Sequence, residues 1–200
     1  DYAIITPATW RALRACPLFA NLDDKMLEII ASMGKRKLIQ PGQQIIKAGD
    51  RSNCMYLVCT GVVSCMVGDH EVKKLSSGQS FGDVAVYCDH IYKLHQEHSS
   101  FLGDADALDK ILTRTADIFG VEVCHLMELS VKDMTSLFPR SPRLVYNVVQ
   151  VGEAQLDEAV ANNSDQARAA KRIISRLHPL VAASFMRGVP SDLTARLLDS

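Results

Sequence analysis

No stretch of this 200-residue chain approaches the roughly 20 consecutive apolar residues of a membrane-spanning helix. No secretory signal stands at its start. Cysteine is scarce and scattered: six residues (Cys16, Cys54, Cys59, Cys65, Cys88, Cys124) with no C-x-x-C pair. That excludes a disulfide framework and reads as reduced, buried thiols in a cytosolic setting. Neither sign of charge dominates, with 22 Lys and Arg against 23 Asp and Glu and a formal net charge of −1. A protein that coats nucleic acid non-specifically is thereby excluded. A small buried anion is not, because it needs one or two cations rather than a basic surface. The chain begins at Asp1 without a methionine and is expected to be a piece of a larger protein. There is no internal repeat and no low-complexity tract.

What is present is an ordinary globular balance, 48% hydrophobic and 22% charged, in a length that suits one domain or one domain with an appendage. Residues 6–34 read as helical. Thr6-Pro7 marks a start with proline at the first helical position, Pro17 breaks the run, and Leu22, Met26, Leu27, Ile29, Ile30 and Met33 line one face. Gly34 stands where a C-terminal cap belongs. The texture then changes. Six of the eleven glycines lie from Gly42 to Gly82, and just before or between them sit short β-rich runs at Lys37–Gln40, Gln44–Lys47, Met55–Cys59, Val62–Val67 and Glu71–Leu75. Such spacing indicates a sandwich or roll, with turns at Pro41-Gly42 and Gly68-Asp69. Residues 88–112 are polar, histidine-bearing and long. Strand character returns at Thr113–Phe119 and Val121–Leu129. Ser130 caps a short helix, Ser141-Pro142 opens another to about Val160, and a tail from Ser164 carries Ala167, Ala170, Ile173, Ile174 and Leu177 at helical spacing. A last short helix is expected from Pro190-Ser191.

The chemistry concentrates in Gly78-Gln79-Ser80-Phe81-Gly82-Asp83-Val84-Ala85, taken with Arg114-Thr115-Ala116. Glycine at 82 frees the backbone to approach a ligand closely. A helix starting at Asp83 leaves the amides of Val84 and Ala85 unpaired and attractive to an anion. An arginine from the next strand adds a two-pronged grip on a phosphate.

This ordering resembles the phosphate-binding cassette of cyclic-nucleotide-binding domains, in which F-G-E-x-A precedes R-T-A or R-A-A. Cys16-Pro17-Leu18-Phe19-Ala20 is similar to the P-L-F segment that leads into the family's roll. Pro41 through Asp50 is similar to its P-G-x-x-I-x-x-x-G strand pair, and Met55-Tyr56-Leu57-Val58 with Gly61-Val62-Val63 to its M-Y-x-I-x-x-G-x-V. Cys124 through Ser130 followed by Phe138-Pro139 resembles the closing strand and the helix behind it. In detail, residues 16–160 look most like the cytoplasmic domains of hyperpolarisation-activated, cyclic-nucleotide-gated and ether-à-go-go-type channels and of sperm-type sodium/proton exchangers. Five motifs in the right order make the signal specific.

The resemblance implies an α+β fold: an antiparallel β-roll of jelly-roll type flanked by N-terminal helices and C-terminal lid helices. Its parts are a helical lead-in at 1–34, the roll at 35–139 with a cassette insertion at about 88–113, a lid helix at 140–161 and a helical tail at 162–200. It implies cAMP or cGMP as ligand and no cofactor. Phe81, Gly82, Val84 and Ala85 line the phosphate, Asp83 meets the ribose, and Arg114 pairs with the cyclic phosphate. Thr115 touches phosphate and the guanine edge, Cys65 and Lys73 face the purine, and Gln155 and Leu156 cover the base. The implied context is the cytoplasmic side of a membrane channel or transporter, with homo-oligomers through the full-length protein, no nucleic-acid partner and no catalysis. Three departures stand out. Asp83 replaces the usual glutamate, Gly152 falls near where channel lids often carry arginine, and Tyr87–Thr113 splits the cassette.

Other readings stay open. Arg114 is alternatively a surface strand arginine, and Asp83 simply a helix cap. Cys88, His90, His95 and His98 invite zinc, but their spacing fits no common module. Arg168, Lys171, Arg172 and Arg176 form either a solvated face or a contact for acidic lipid or another subunit. A roll that binds no nucleotide, a kinase regulatory or exchange-factor module, a catabolite-activator-type transcription factor and a cupin-like enzyme are the competing functions. The last would need an H-x-H motif, which the chain lacks.

Overall fold

A computed structural model describes residues 6–98 and 112–175. Helix α1 (Pro7–Ala15) opens as expected, with the Thr6 side chain accepting from the Thr9 amide and proline at the first position. A 3₁₀ turn at Pro17–Phe19 leads to α2 (Asp24–Met33), which Asp23 caps through the Met26 amide. Gly34 follows α2, but its φ of −71° is open to any residue. Its missing side chain matters for a different reason: a Cβ there would stand 2.4 Å from Met127 Cγ.

Among the described residues eight strands follow: β1 (Lys35–Ile39), β2 (Gln44–Ile46), β3 (Cys54–Thr60), β4 (Val63–Val67), β5 (His70–Leu75), β6 (Ser80–Phe81), β7 (Asp117–Gly120) and β8 (Cys124–Ser130). They form two antiparallel four-stranded sheets, ordered β1-β8-β3-β6 and β2-β7-β4-β5. This is the expected roll. Ile39, Ile46, Tyr56, Val58, Val63, Ile118 and Leu126 fill its interior. Strand β3 is buried on both faces: Tyr56 and Val58 point into the roll, while Met55 and Leu57 meet the helices. Burial on two sides explains its unbroken apolar run. At the corner that follows β6, Gly82 adopts a φ of +81°, a conformation that a side chain would strain.

Two expectations are refined. The insertion that splits the cassette after Tyr87 begins as helix, because α3 runs unbroken over Asp83–His98. Tyr87, Cys88, Ile91 and Tyr92 recur at helical spacing and are buried, while Asp89 and Lys93 pair on the flank at 2.7 Å. The returning strand is also shorter than Thr113–Phe119. Residues 112–114 instead lie against 49–52, where Arg114 N donates to Asp50 O at 2.8 Å and Gly49 N to Arg114 O at 3.0 Å. The remainder of the insertion, 99–111, and the helix expected at Pro190-Ser191 lie outside the described residues, as do Arg176 and Leu177.

After α4 (Val131–Ser136), capped by Ser130, helix α5 (Pro142–Ala161) is opened by Ser141, whose hydroxyl accepts from the Leu144 amide. Buried Asn147 anchors it by donating to the carbonyls of Leu18 and Ala20 at 3.1 and 2.8 Å. A further helix, residues 165–175, starts at Ser164 and buries Ala167, Ala170 and Ile174. Gly152 lies where α5 crosses α3. A Cβ there would come within 2.3 Å of Tyr87 Cβ, so this mid-helix glycine permits close helix packing. Gly152→Ala is expected to lower the unfolding free energy by about 1–3 kcal/mol despite alanine's better helix propensity, which a shift of the urea midpoint to lower concentration would register.

Candidate functional site

A cleft opens where the second sheet, the β6–α3 corner and α5 converge. Its empty space, mouth included, is about 710 Å³. Of the eleven residues singled out from sequence, nine line it: Cys65 and Lys73 from the sheet, Phe81, Gly82, Val84 and Ala85 from the corner, Arg114 and Thr115 from the returning chain, and Gln155 from α5. Two do not. Asp83 is buried beside the cleft rather than in its wall. Leu156 is fully buried in the helical core instead of covering a base, since one residue beyond Gln155 is about 100° further round the helix.

The glycine–arginine meeting is the centre of the site. Arg114 is 8% exposed, and its guanidinium sits so close to Gly82 that a Cβ on that glycine would lie 2.5 Å from Nη1. Nη2 donates to Cys54 Sγ at 3.3 Å, whereas Nη1 has no partner. The surface-arginine alternative is therefore removed. Phe81 beneath the corner stacks on Tyr56 with ring centroids 5.1 Å apart. One expectation for the helix start fails in part: the Ala85 amide donates back to Gly82 O at 3.2 Å. Fewer free amides are left for an anion, and more of the attraction falls to Arg114.

Asp83 has a single-sided environment. Its Oδ2 accepts from Ser80 Oγ at 2.6 Å and from Gln155 Nε2 at 2.9 Å, while Oδ1 is buried without a partner. Burial lifts its pKa to about 6, against the opposing pull of these hydrogen bonds and of the Lys73 charge. Ser52 Oγ, in the cleft wall, is also buried and unpartnered. Three buried polar atoms without a partner (Ser52 Oγ, Asp83 Oδ1 and Arg114 Nη1) thus lie in or beside one cleft, the kind of atoms a polar ligand would satisfy.

Helix α5 already touches both sides of this cleft. Besides Gln155 on Asp83, Glu158 pairs with Lys73 of β5. Glu158 escaped the sequence reading although it lies one turn beyond Gln155 on the same face. Ser80 stood in the motif without a role, and so did Ser164 at the start of the tail, whose hydroxyl donates to Thr115 O at 2.7 Å and so ties the start of helix 165–175 to the residue after Arg114. Lys171 of that helix pairs with Asp157 of α5 at 2.7 Å, so part of the tail's basic stripe serves internal contacts.

The metal reading gains nothing. Among the described residues no three His, Cys, Asp or Glu gather as metal ligands. Cys88 is buried in the helical core, and His90 lies edge-on against Phe138 at 4.9 Å, its pKa lowered to about 4 by burial. The side chains of His95 and His98 lie outside the described residues. Likewise, no described helix is long and apolar enough to cross a membrane.

No family model matches the chain. Among curated proteins it is similar to the potassium/sodium hyperpolarization-activated cyclic nucleotide-gated channel 2 of Mus musculus, 26% identical over 157 residues. That match covers 77% of this chain but 15% of the channel. Channel 4 of Oryctolagus cuniculus is 25% identical over 157 residues, covering 77% of this chain and 11% of the channel. The chain thus spans a small fraction of the length of these relatives. Among solved structures, the N-terminal domain of a transcriptional regulator from Streptomyces coelicolor superposes with a TM-score of 0.52 at 17% identity, covering 76% of this chain and 94% of that one. A candidate cyclic nucleotide-binding protein from Geobacter metallireducens gives 0.52 at 16% identity, covering 76% and 98%. The fold is an antiparallel β-roll with flanking helices, shared with these solved structures, and the two curated relatives named here are hyperpolarization-activated cyclic nucleotide-gated channels, as the motifs implied.

Proposed function

We propose that this chain is a regulatory module that binds cAMP or cGMP in the cleft, performs no catalysis, and reports occupancy through α5. The observation that carries the reading is Arg114: a nearly buried guanidinium, pressed against Gly82, with one nitrogen lacking any partner. A cyclic phosphate is a singly charged anion of the right chemistry to satisfy it. Asp83, buried beside the cleft, reaches a ribose hydroxyl through Oδ1 only if its bonds to Ser80 and Gln155 give way on binding, and Cys65, Lys73 and Thr115 border the purine. The binding unit is the roll of 35–139 with its lid at 140–161.

The module serves as the cytoplasmic part of a larger membrane channel or transporter, a context supported by the two channel relatives. Occupancy reaches the remainder of such a protein along two routes. One is the pair of bonds that hold α5 to the cleft, Gln155 to Asp83 and Glu158 to Lys73. The other is Ser164, which grips the backbone beside Arg114 and starts the next helix. A ligand that rearranges these contacts shifts the position of α5 by its differential affinity for two states, typically about 1–3 kcal/mol.

Isothermal titration with cAMP and with cGMP tests the proposal. Saturable one-to-one binding by at least one is expected. No saturable binding by either at millimolar ligand would leave the second reading, a roll that signals without nucleotide. That reading is favoured by one observation: α5 already satisfies Lys73 and one oxygen of Asp83 from within the chain.

A further inference from the structure

All six cysteines are described, and Cys54 alone is half-buried rather than buried. Burial pushes the thiols of Cys16 and Cys88 up to about 12 and those of Cys59 and Cys65 upward, so they stay protonated and inert. Cys124 donates to the Val62 carbonyl at 3.1 Å. Cys54 sits in a different setting. Its sulfur accepts from Arg114 Nη2 at 3.3 Å and donates to Tyr56 Oη at 3.5 Å, and Tyr56 in turn donates to Glu128 Oε2 at 3.1 Å. The sulfur therefore lies in a row of guanidinium, thiol, phenol and carboxylate. Arg114, 8% exposed, reaches the sulfur through Nη2, while its Nη1, beside Gly82, has no partner.

We propose that Cys54 is an oxidisable thiol that gates the anion clamp: peroxide converts it to a sulfenic acid, whose oxygen engages Arg114 in competition with phosphate. The gating rests on the reading of the cleft as a cyclic-nucleotide site. In the chemical step the Cys54 proton passes to Tyr56 Oη as the Tyr56 hydroxyl proton passes to the Glu128 carboxylate. The sulfur attacks one oxygen of hydrogen peroxide, the S–O bond forms and the O–O bond breaks. The departing hydroxide recovers the proton through Tyr56 and leaves as water. Thiol and peroxide thus give sulfenic acid and water, sulfur losing the two electrons that peroxide gains. A thiol reductant reverses the oxidation. The new oxygen offers the guanidinium an acceptor far stronger than a thiol sulfur.

The test uses the full chain with hydrogen peroxide and dimedone, which traps sulfenic acid, followed by peptide mass spectrometry. Cys54 is expected to be labelled about tenfold faster than the other cysteines, and Arg114→Gln to slow that labelling. Label spread evenly over the six, or concentrated on another cysteine, overturns the proposal. Without dimedone, peroxide is expected to weaken cAMP binding about tenfold, dithiothreitol to restore it, and Cys54→Ser to be insensitive to peroxide. Unchanged affinity in a chain whose Cys54 is oxidised overturns the gating. Were the untreated chain to bind neither nucleotide, the reading of the cleft would fall and the gating with it, whereas Cys54 labelling slowed by Arg114→Gln would still sustain the thiol chemistry.

Discussion

Arg114→Ala is expected to weaken cyclic-nucleotide binding by about 100-fold, because two charge-assisted hydrogen bonds to phosphate disappear together. Arg114→Lys should recover only part of this, since an ammonium keeps the charge but not the fork. The same position carries a second, opposite effect. In the unliganded roll the guanidinium is nearly buried, its Nη2 has only a thiol as acceptor, and its Nη1 has nothing. Leaving such a donor unsatisfied costs about 1–3 kcal/mol. Arg114→Met, which retains volume and removes charge, should therefore raise the melting temperature of the unliganded protein while abolishing binding. Calorimetric titration and thermal melts of these variants check both halves. Unchanged affinity would place the phosphate elsewhere, and a lower melting temperature would show that Arg114 is structural.

A second large effect concerns acid. Asp83 ionises near 3.8 in the unfolded chain and at about 6 in the fold, because burial disfavours its charge. Across that window the folded state binds more protons, so rising pH removes stability, by up to about 3 kcal/mol. His90 acts in the opposite sense. Its pKa falls from 6.5 to about 4 on folding, again through burial, so the unfolded state binds more protons and rising pH adds stability over nearly the same interval. The two contributions largely cancel. The wild-type contribution of this pair should therefore be nearly flat between pH 4 and 6.5. Asp83→Asn should leave the His90 slope exposed, with stability increasing as pH rises, and His90→Gln should leave the Asp83 slope, with stability decreasing. Urea midpoints at about pH 4.5 and pH 6.5 distinguish these cases, and parallel slopes in all three proteins would refute the assignment. Because Gln155 donates to the same carboxyl, protonation of Asp83 also weakens a bond that holds α5 to the cleft.

Much of the roll was legible because its signals are local. Five of its strands were placed within a residue or two from short apolar runs between glycines, and the caps at Thr6, Ser130 and Ser141 act through their own neighbouring amides. The two-residue strand Ser80–Phe81 left no periodicity to detect. Helix α3 was hidden by its composition: its histidines and charges masked the buried spacing of Tyr87, Cys88, Ile91 and Tyr92. In the site, the order of Phe81, Gly82 and Arg114 named the lining, but the phase of α5 was open by one residue, which is why Gln155 meets the cleft and Leu156 does not.

Chain chemistry alone was enough to set the turns, the caps and which residue types would gather at the corner, because backbone preference and side-chain reach operate over a few residues. Packing, by contrast, established that Gly152 lets α5 press on Tyr87, that Glu158 meets Lys73, and that Arg114 rests on Cys54 from 60 positions away. Those meetings are set by how whole elements fit against each other, a balance of buried area and shape that no short stretch of chain encodes.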